Sequence, residues 1–250
     1  MTTTPPWKVV WVTGASSGIG REIATQLAAG GVTVAASARN AGKLAGLGPK
    51  VKPYPVDVTD RAAVMLTIKS IEQDLGPIDL ALFAAGTYTP VEVDYFDPIV
   101  FETAIATNYM GTVNCLAGLM PLMLERGAGH LAWIASVAGY RGLPKAAAYG
   151  PSKAALINLA ESLAPELGLR GVSVSVVNPG FVETPLTAQN DFPMPFLMQA
   201  PEAARRTIEG LAGKQFETAY PWRFVAIMKL ARLLPYWLYF WLVRKSVIKN

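Results

Sequence analysis

The sequence predicts an α/β fold, a doubly wound parallel sheet of about seven strands with helices on both faces, followed by amphipathic helices at the carboxyl end. Three observations predict it. Apolar runs of strand length alternate with stretches at helical spacing, the order that a parallel sheet with crossover helices requires. The first apolar run ends in a glycine-rich turn that opens a helix, TGASSGIG at 13–20. Tyr149 and Lys153 stand four apart at the start of an amphipathic stretch, so one helical turn separates a phenol from an ammonium.

Length and composition suit this fold. A chain of 250 residues, 52% apolar and 16% charged, is the size of one large α/β domain with a sizeable core. We assign residues 1–220 to that domain and 221–250 to a basic, apolar extension. One cysteine, Cys115, excludes an internal disulfide, and without a Cys/His cluster no metal site is expected. The N-terminus lacks a basic region followed by a long apolar core, so no signal peptide is expected. The expected location is the cytoplasm, peripheral on the membrane face if the extension meets a bilayer.

Residues 8–13 (KVVWVT) read as the first strand and 21–30 as the helix behind the glycine turn. Gly14, Gly18 and Gly20 are spaced G-x-x-x-G-x-G. Such glycines let the backbone turn tightly, approach a pyrophosphate and aim helix amides at it. A plain turn is the competing reading, and a Walker loop is excluded because no Gly-Lys-Ser/Thr follows. A second strand, 32–39, ends at Arg39. At that place an acidic residue bonds a ribose 2′-hydroxyl, whereas an arginine accommodates a 2′-phosphate, so Ala38-Arg39 predicts NADP(H) over NAD(H). An arginine solvated in a loop is the alternative.

Strand 51–56 leads to Asp57 and a capped helix from 59 or 60 to 75; strand 78–83 leads to Ala84-Ala85-Gly86. Asp57, at a strand's carboxyl edge, is placed either to accept from an adenine amine or to serve a turn. Asp97-Pro98 starts a long helical stretch that carries Asn108 and ends near Arg126. The fifth strand, 129–136, opens on the sole histidine, His130, read as structural because no titrating partner accompanies it. It delivers Ser136 to the carboxyl edge of the sheet, where open α/β sheets bind ligands. A sixth strand, 172–177, the turn Asn178-Pro179-Gly180, a helix over 201–213 and a short strand over 215–220 complete the domain.

A tyrosine with its usual pKa of about 10 carries protons poorly at neutral pH. The Lys153 ammonium and the positive end of the helix dipole favour the phenolate and move Tyr149 toward the working range. Tyr149 is then a general acid or base, with Ser136 holding a substrate oxygen.

Taken in order over about residues 8–220, these motifs resemble the short-chain dehydrogenase/reductase family, whose sheet is Rossmann-like. The resemblance rests on the TGASSGIG turn, Asp57-Val58, Asn108, Ser136, Tyr149 with Lys153, and PGFVET at 179–184. It implies that Tyr149 is the proton donor or acceptor and that Ser136 orients the substrate carbonyl. It further implies that Lys153 binds the nicotinamide ribose and tunes the tyrosine, and that Asn108 holds a water in a proton relay. The implied cofactor surface comprises Gly14, Ser16, Ser17, Gly18, Ile19, Gly20, Arg39, Asp57, Val58 and Gly86. Tyr149 and Lys153 share in it, Pro179 and Gly180 border the nicotinamide, and Val182 and Thr184 lie near its carboxamide. One departure stands out. Where the family has Asn-Asn-Ala-Gly, this chain has Phe83-Ala84-Ala85-Gly86, so the asparagine side chain that borders the cofactor is absent.

The reaction so implied is hydride transfer between NADP(H) and a carbonyl or secondary alcohol. A non-catalytic, NADP-sensing, membrane-docked scaffold is the alternative, against which the retention of Ser136, Tyr149 and Lys153 speaks. No nucleic-acid partner is expected, because the basic groups are confined to an apolar tail.

Residues 181–200, with FPMPFLM inside, are expected to form a substrate lid, whose Met and Phe side chains suit a small hydrophobic carbonyl or alcohol of lipid-like character. The extension carries six bases, Arg223, Lys229, Arg232, Arg244, Lys245 and Lys249, and no acid. The body's 16 bases against 18 acids leave it at −2, so the whole net charge of +4 arises from the tail. In a helix over 222–234, Arg223, Ala226, Lys229 and Arg232 share one stripe with apolar residues elsewhere, until Pro235 breaks it. The longest uncharged run, 233–243, is eleven residues, short of the ~20 that span a bilayer. Three readings of the tail stay open: a helix at a membrane surface, a homo-oligomer interface, or a cover over its own substrate pocket.

Overall fold

The computed structural model describes residues 5–246; the expectations for the first four residues and for Lys249 lie outside them. The chain's first strand, β1 (Val9–Thr13), is buried along its whole length because helices cover both faces. Its alternation divides the core. Val10 and Val12 pack with Ile23 and Leu27 of helix α1 (Gly18–Ala29) and with Ala203 and Leu211 of α6 (Ala200–Ala212). Val9 and Trp11 face the other way, onto Ile68 and Ile71 of α2 (Arg61–Leu75), Leu119 of α4 (Gly111–Arg126) and Leu156 of α5 (Tyr149–Gly168).

The remaining strands of the main sheet are β2 (Thr33–Ser37), β3 (Val51–Pro53), β4 (Leu80–Phe83), β5 (Gly129–Ile134), β6 (Val172–Pro179) and β9 (Glu217–Tyr220). They run parallel in the order β3-β2-β1-β4-β5-β6-β9. The direction of winding reverses between β1 and β4, which opens a crevice at the carboxyl ends of the central strands. Helices α3 (Pro98–Ala104), α4 (Gly111–Arg126), α5 (Tyr149–Gly168) and α6 (Ala200–Ala212) complete the layers. Asp97 caps α3 as the sequence predicts, its carboxylate accepting from the Ile99 amide at 2.9 Å.

Several boundaries differ from the sequence reading, each for a local reason. β2 stops at Ser37, whose hydroxyl accepts from the Trp11 indole at 2.9 Å and donates to the Tyr54 carbonyl at 2.7 Å, and Ala38 and Arg39 follow it as loop. β3 ends at Pro53 on the sheet's edge, although the Tyr54 and Val56 amides beyond it still donate to the carbonyls of Ala36 at 2.9 Å and Ala38 at 3.2 Å. The long helical stretch before Arg126 is interrupted by a wide, π-type segment, Ile105–Met110, and Asn108 sits within it. The expected lid is not structureless: β7 (Val182–Glu183) and β8 (Met198–Gln199) pair in parallel inside it. Helix α7 (Trp222–Leu233) ends before Pro235, and α8 (Tyr236–Ser246) follows. Because Phe224, Val225 and Met228 of α7 join the main core, the extension is built into the body. No helix among the described residues is long and apolar enough to cross a membrane.

Candidate active site

The crevice begins at Gly14, whose φ is +67° and where a Cβ would lie 2.6 Å from the backbone of Ala84 and Ala85. Only glycine lets the turn after β1 press against the loop after β4 so closely. Thr13 Oγ1 holds the two loops together by accepting from the amides of Ala84 at 3.2 Å and Ala85 at 3.3 Å. At the start of α1, Ser17 makes no side-chain cap and no acid occupies the first turn, leaving the helix amides free for a ligand.

Every sequence-predicted site residue except Asn108 lines this one crevice. Gly14, Ser16, Ser17, Gly18, Ile19 and Gly20 come from the first turn; Arg39, Asp57 and Val58 from beyond β2 and β3; and Gly86 from beyond β4. Ser136 follows β5, Tyr149 and Lys153 open α5, and Pro179, Gly180, Val182 and Thr184 come from the end of β6 and from β7.

At the far end, exposed Arg39 is joined by Lys43, which the sequence reading missed. A short helical turn, Ala41–Lys43, carries that lysine, and the Asn40 side chain caps it by accepting from the Lys43 amide at 3.2 Å. The spacing Asn-x-x-Lys directly after Arg39 was a local signal that could have found it. Asp57 takes the turn role: its Oδ1 accepts from the Thr59 amide at 2.9 Å and the Thr59 hydroxyl at 2.8 Å. The Thr59 amide above all, with the Thr59 hydroxyl and the charge of Arg39 adding to it, holds the Asp57 carboxyl below its usual range against the opposing effect of burial.

At the near end, Ser136 Oγ accepts from the Ala138 amide at 3.1 Å and donates to the Pro179 carbonyl at 3.4 Å, which ties the ends of β5 and β6 together. Tyr149 begins α5 and meets the ring of Tyr88 edge-on, centroids 5.3 Å apart. No sequence signal pointed to Tyr88. The Lys153 ammonium sits 5.5 Å from the Tyr149 ring centroid and donates to the Ile134 carbonyl at 2.7 Å. Gly86 makes room for it, since a Cβ there would lie 3.3 Å from Asn108 Oδ1 and 3.5 Å from Lys153 Nζ.

Protonation departs from the sequence expectation. Burial pushes the Tyr149 phenol up to about 12, with the Ser136 hydroxyl pulling the other way. Burial also pushes Lys153 down to about 7. An ammonium that is itself costly to keep charged does little to acidify its neighbour, so burial favours the neutral form of both groups.

Asn108 sits behind the crevice, next to Gly86. It is wholly enclosed, its Oδ1 accepting from the Thr87 amide at 2.7 Å while Nδ2 donates to the Thr87 carbonyl at 3.0 Å and to Ser152 Oγ at 2.9 Å. Both amide hydrogens are used within the protein, which commits the side chain to Thr87 and Ser152. Ser152 in turn donates to the Tyr149 carbonyl at 2.7 Å, which makes Asn108 a splint between the loop after β4 and the start of α5. His130 lies at the opposite end of β5, buried against Ser175 at 2.8 Å and pushed down to about 4 by burial, in keeping with a structural residue.

The sequence matches the short chain dehydrogenase family over residues 8–193. The chain belongs to that family. Among its relatives, an uncharacterized oxidoreductase of Myxococcus xanthus is 37% identical over 236 residues, covering 92% of this chain and 93% of that protein. Another, from Staphylococcus epidermidis, is 33% identical over 189 residues, covering 74% and 82%. A solved short-chain dehydrogenase from Streptomyces avermitilis superposes with a TM-score of 0.81 at 25% identity, covering 90% of this chain and 92% of that one.

This short-chain dehydrogenase is thus an oxidoreductase of a family that works with a nicotinamide cofactor, NAD or NADP. Its crevice fits such a group: the close approach at Gly14, the uncapped amides of α1 and the cations beyond β2 match a dinucleotide's phosphates.

Proposed function

We propose that this short-chain dehydrogenase uses NADPH to reduce the carbonyl of a hydrophobic, lipid-like substrate to an alcohol, or runs the reverse oxidation, with Tyr149 passing the proton. The observation that carries this reading is the convergence of Ser136, Tyr149 and Lys153 on the crevice that Gly14 opens. Hydride chemistry is what the bound nicotinamide supplies.

The chain's own residues bind, orient and move the proton. Ser136 holds the carbonyl oxygen, and the Tyr149 phenol donates to that oxygen as the carbonyl carbon takes the hydride. Reduction consumes a protonated phenol, and burial keeps Tyr149 in that form, which favours the reductive direction. The phenolate left behind draws Lys153 toward its charged state and later regains a proton from solvent. Arg39 and Lys43 offer two cations to a 2′-phosphate, which NAD lacks. An apolar substrate is supported by the aromatic residues around the near end: Tyr88 against Tyr149, and Phe181 against both Phe192 and Phe224.

The test is consumption of NADPH with a panel of apolar ketones and aldehydes. Wild type should turn over, and Tyr149→Phe should lose about 10²-fold or more in kcat. An equal rate in Tyr149→Phe would refute the proton role, and tight NADP binding without turnover on any substrate would favour the sensing scaffold.

A further inference from the structure

We propose that α7 and α8 together form a docking surface for an anionic lipid bilayer. The inference stands on the surface of these two helices and is independent of the reaction above.

The tail folds so that one side is consumed by the protein and the other is left apolar. On the inner side Phe224, Val225, Met228 and Tyr239 are buried. Lys229, expected on a solvated basic stripe, instead turns back to bond Glu217, which also receives the Tyr140 hydroxyl and the Asn178 amide. Arg141 reaches from the loop between Ser136 and Tyr149 to the Arg232 carbonyl at 3.0 Å and the Leu234 carbonyl at 3.3 Å, with its guanidinium over the rings of Tyr236 and Tyr239. These contacts set the orientation of both helices.

On the outer side, Trp222, Ala226, Leu230 and Leu233 recur at intervals of four, four and three, and all are exposed. Trp237, Trp241 and Arg244 do the same on α8. Trp222 is 69% exposed, Trp237 73% and Trp241 54%. Three tryptophans turned outward on adjoining helices are costly in water and suited to the headgroup region of a bilayer.

Charge selects the occupant. The tail has no acid, and among the described residues Arg223, Arg232, Arg244 and Lys245 form no ion pair. Arg223 and Lys245 lie against the outward Trp222 and Trp241 rings, at 5.5 and 5.2 Å. A second copy docked through the same patch would set these unpaired cations against one another, whereas anionic headgroups would neutralise them. Each lysine or arginine near such a surface contributes about 1 kcal/mol.

The experiment is co-sedimentation of the full chain with phosphatidylcholine vesicles, with and without phosphatidylglycerol, at low and high salt. Wild type should pellet with the anionic vesicles at low salt and be released at high salt. The triple variant Arg223→Gln, Arg244→Gln, Lys245→Gln should bind roughly a hundredfold less well. These side chains are exposed, so the variant should keep the wild-type melting temperature, whereas truncation before α7 would uncover the core. Tryptophan emission gives a second readout: Trp7, Trp11 and Trp133 are already buried, so a blue shift on adding anionic vesicles reports the tail. Failure of wild type to pellet, equal binding to neutral vesicles, or an unchanged affinity in the triple variant would each overturn the proposal. So would a stable dimer in solution that Trp237→Glu dissociates, because that outcome assigns the patch to a second copy.

Discussion

Lys153→Met isolates the cost of keeping an ammonium inside this protein. Lys153 is 4% exposed, and the Ile134 carbonyl at 2.7 Å is its hydrogen-bond partner among the described residues. A fall from the ordinary 10.5 to about 7 corresponds to about 5 kcal/mol against the charged form. That figure is net of the bond to the Ile134 carbonyl, which acts on the same folded-state ammonium. Between pH 7 and 10.5 the unfolded chain holds the lysine proton and the folded chain releases it, so stability rises with pH across this window. Below pH 7 both states hold the proton and the folded state bears the whole penalty. Urea unfolding of the free protein at several pH values from about 6.5 to 10 measures this directly. Wild type should gain about 4 kcal/mol relative to Lys153→Met over that interval, the other titrating groups being common to both proteins. Parallel pH profiles would show that the amine is not desolvated in the folded chain, and the reasoning about its charge would fail with them.

Three further outcomes are expected. Gly14→Ala combines a left-handed φ of +67° with a Cβ 2.6 Å from backbone, and should lose about 2–5 kcal/mol and abolish dinucleotide binding by fluorescence titration. Gly168→Ala, where nothing lies within 4 Å, should stay within about 1 kcal/mol of wild type. Asn108→Ala leaves part-buried backbone groups of Thr87 and the buried Ser152 hydroxyl short of a partner and should cost about 2–4 kcal/mol in chemical denaturation, with kcat affected more than KM because the start of α5 loosens. Arg39→Ala should raise KM for NADPH about tenfold or more and KM for NADH less than twofold; an equal change for both would contradict a 2′-phosphate contact.

The parallel sheet and most of the crevice were legible because their signals are local. Apolar runs of strand length, a glycine turn and a tyrosine one helical turn before a lysine are readable within a few residues of themselves. Strand ends were less so: Ser37, the last residue of β2, is fixed by side-chain bonds to Trp11 and Tyr54, residues 26 and 17 positions away. The bracing contacts of Asn108 were hidden for the same reason, since its partners Thr87 and Ser152 lie 21 and 44 positions off. The tail's expected basic stripe fails at Lys229, which finds Glu217 on an edge strand that no helical wheel displays.

What the sequence determined alone is the kind of chemistry on offer: a hydroxyl, a phenol and an amine at the carboxyl edge of a parallel sheet, glycines where a phosphate must come close, and a tail carrying the chain's entire excess of positive charge. Only the tertiary structure decided which of those groups keep their protons, which asparagine is a splint, and which side of the tail faces outward. The physical reason is that residue type and spacing set intrinsic propensities and pKa values, whereas desolvation and long-range hydrogen bonds exist only once distant segments have packed together.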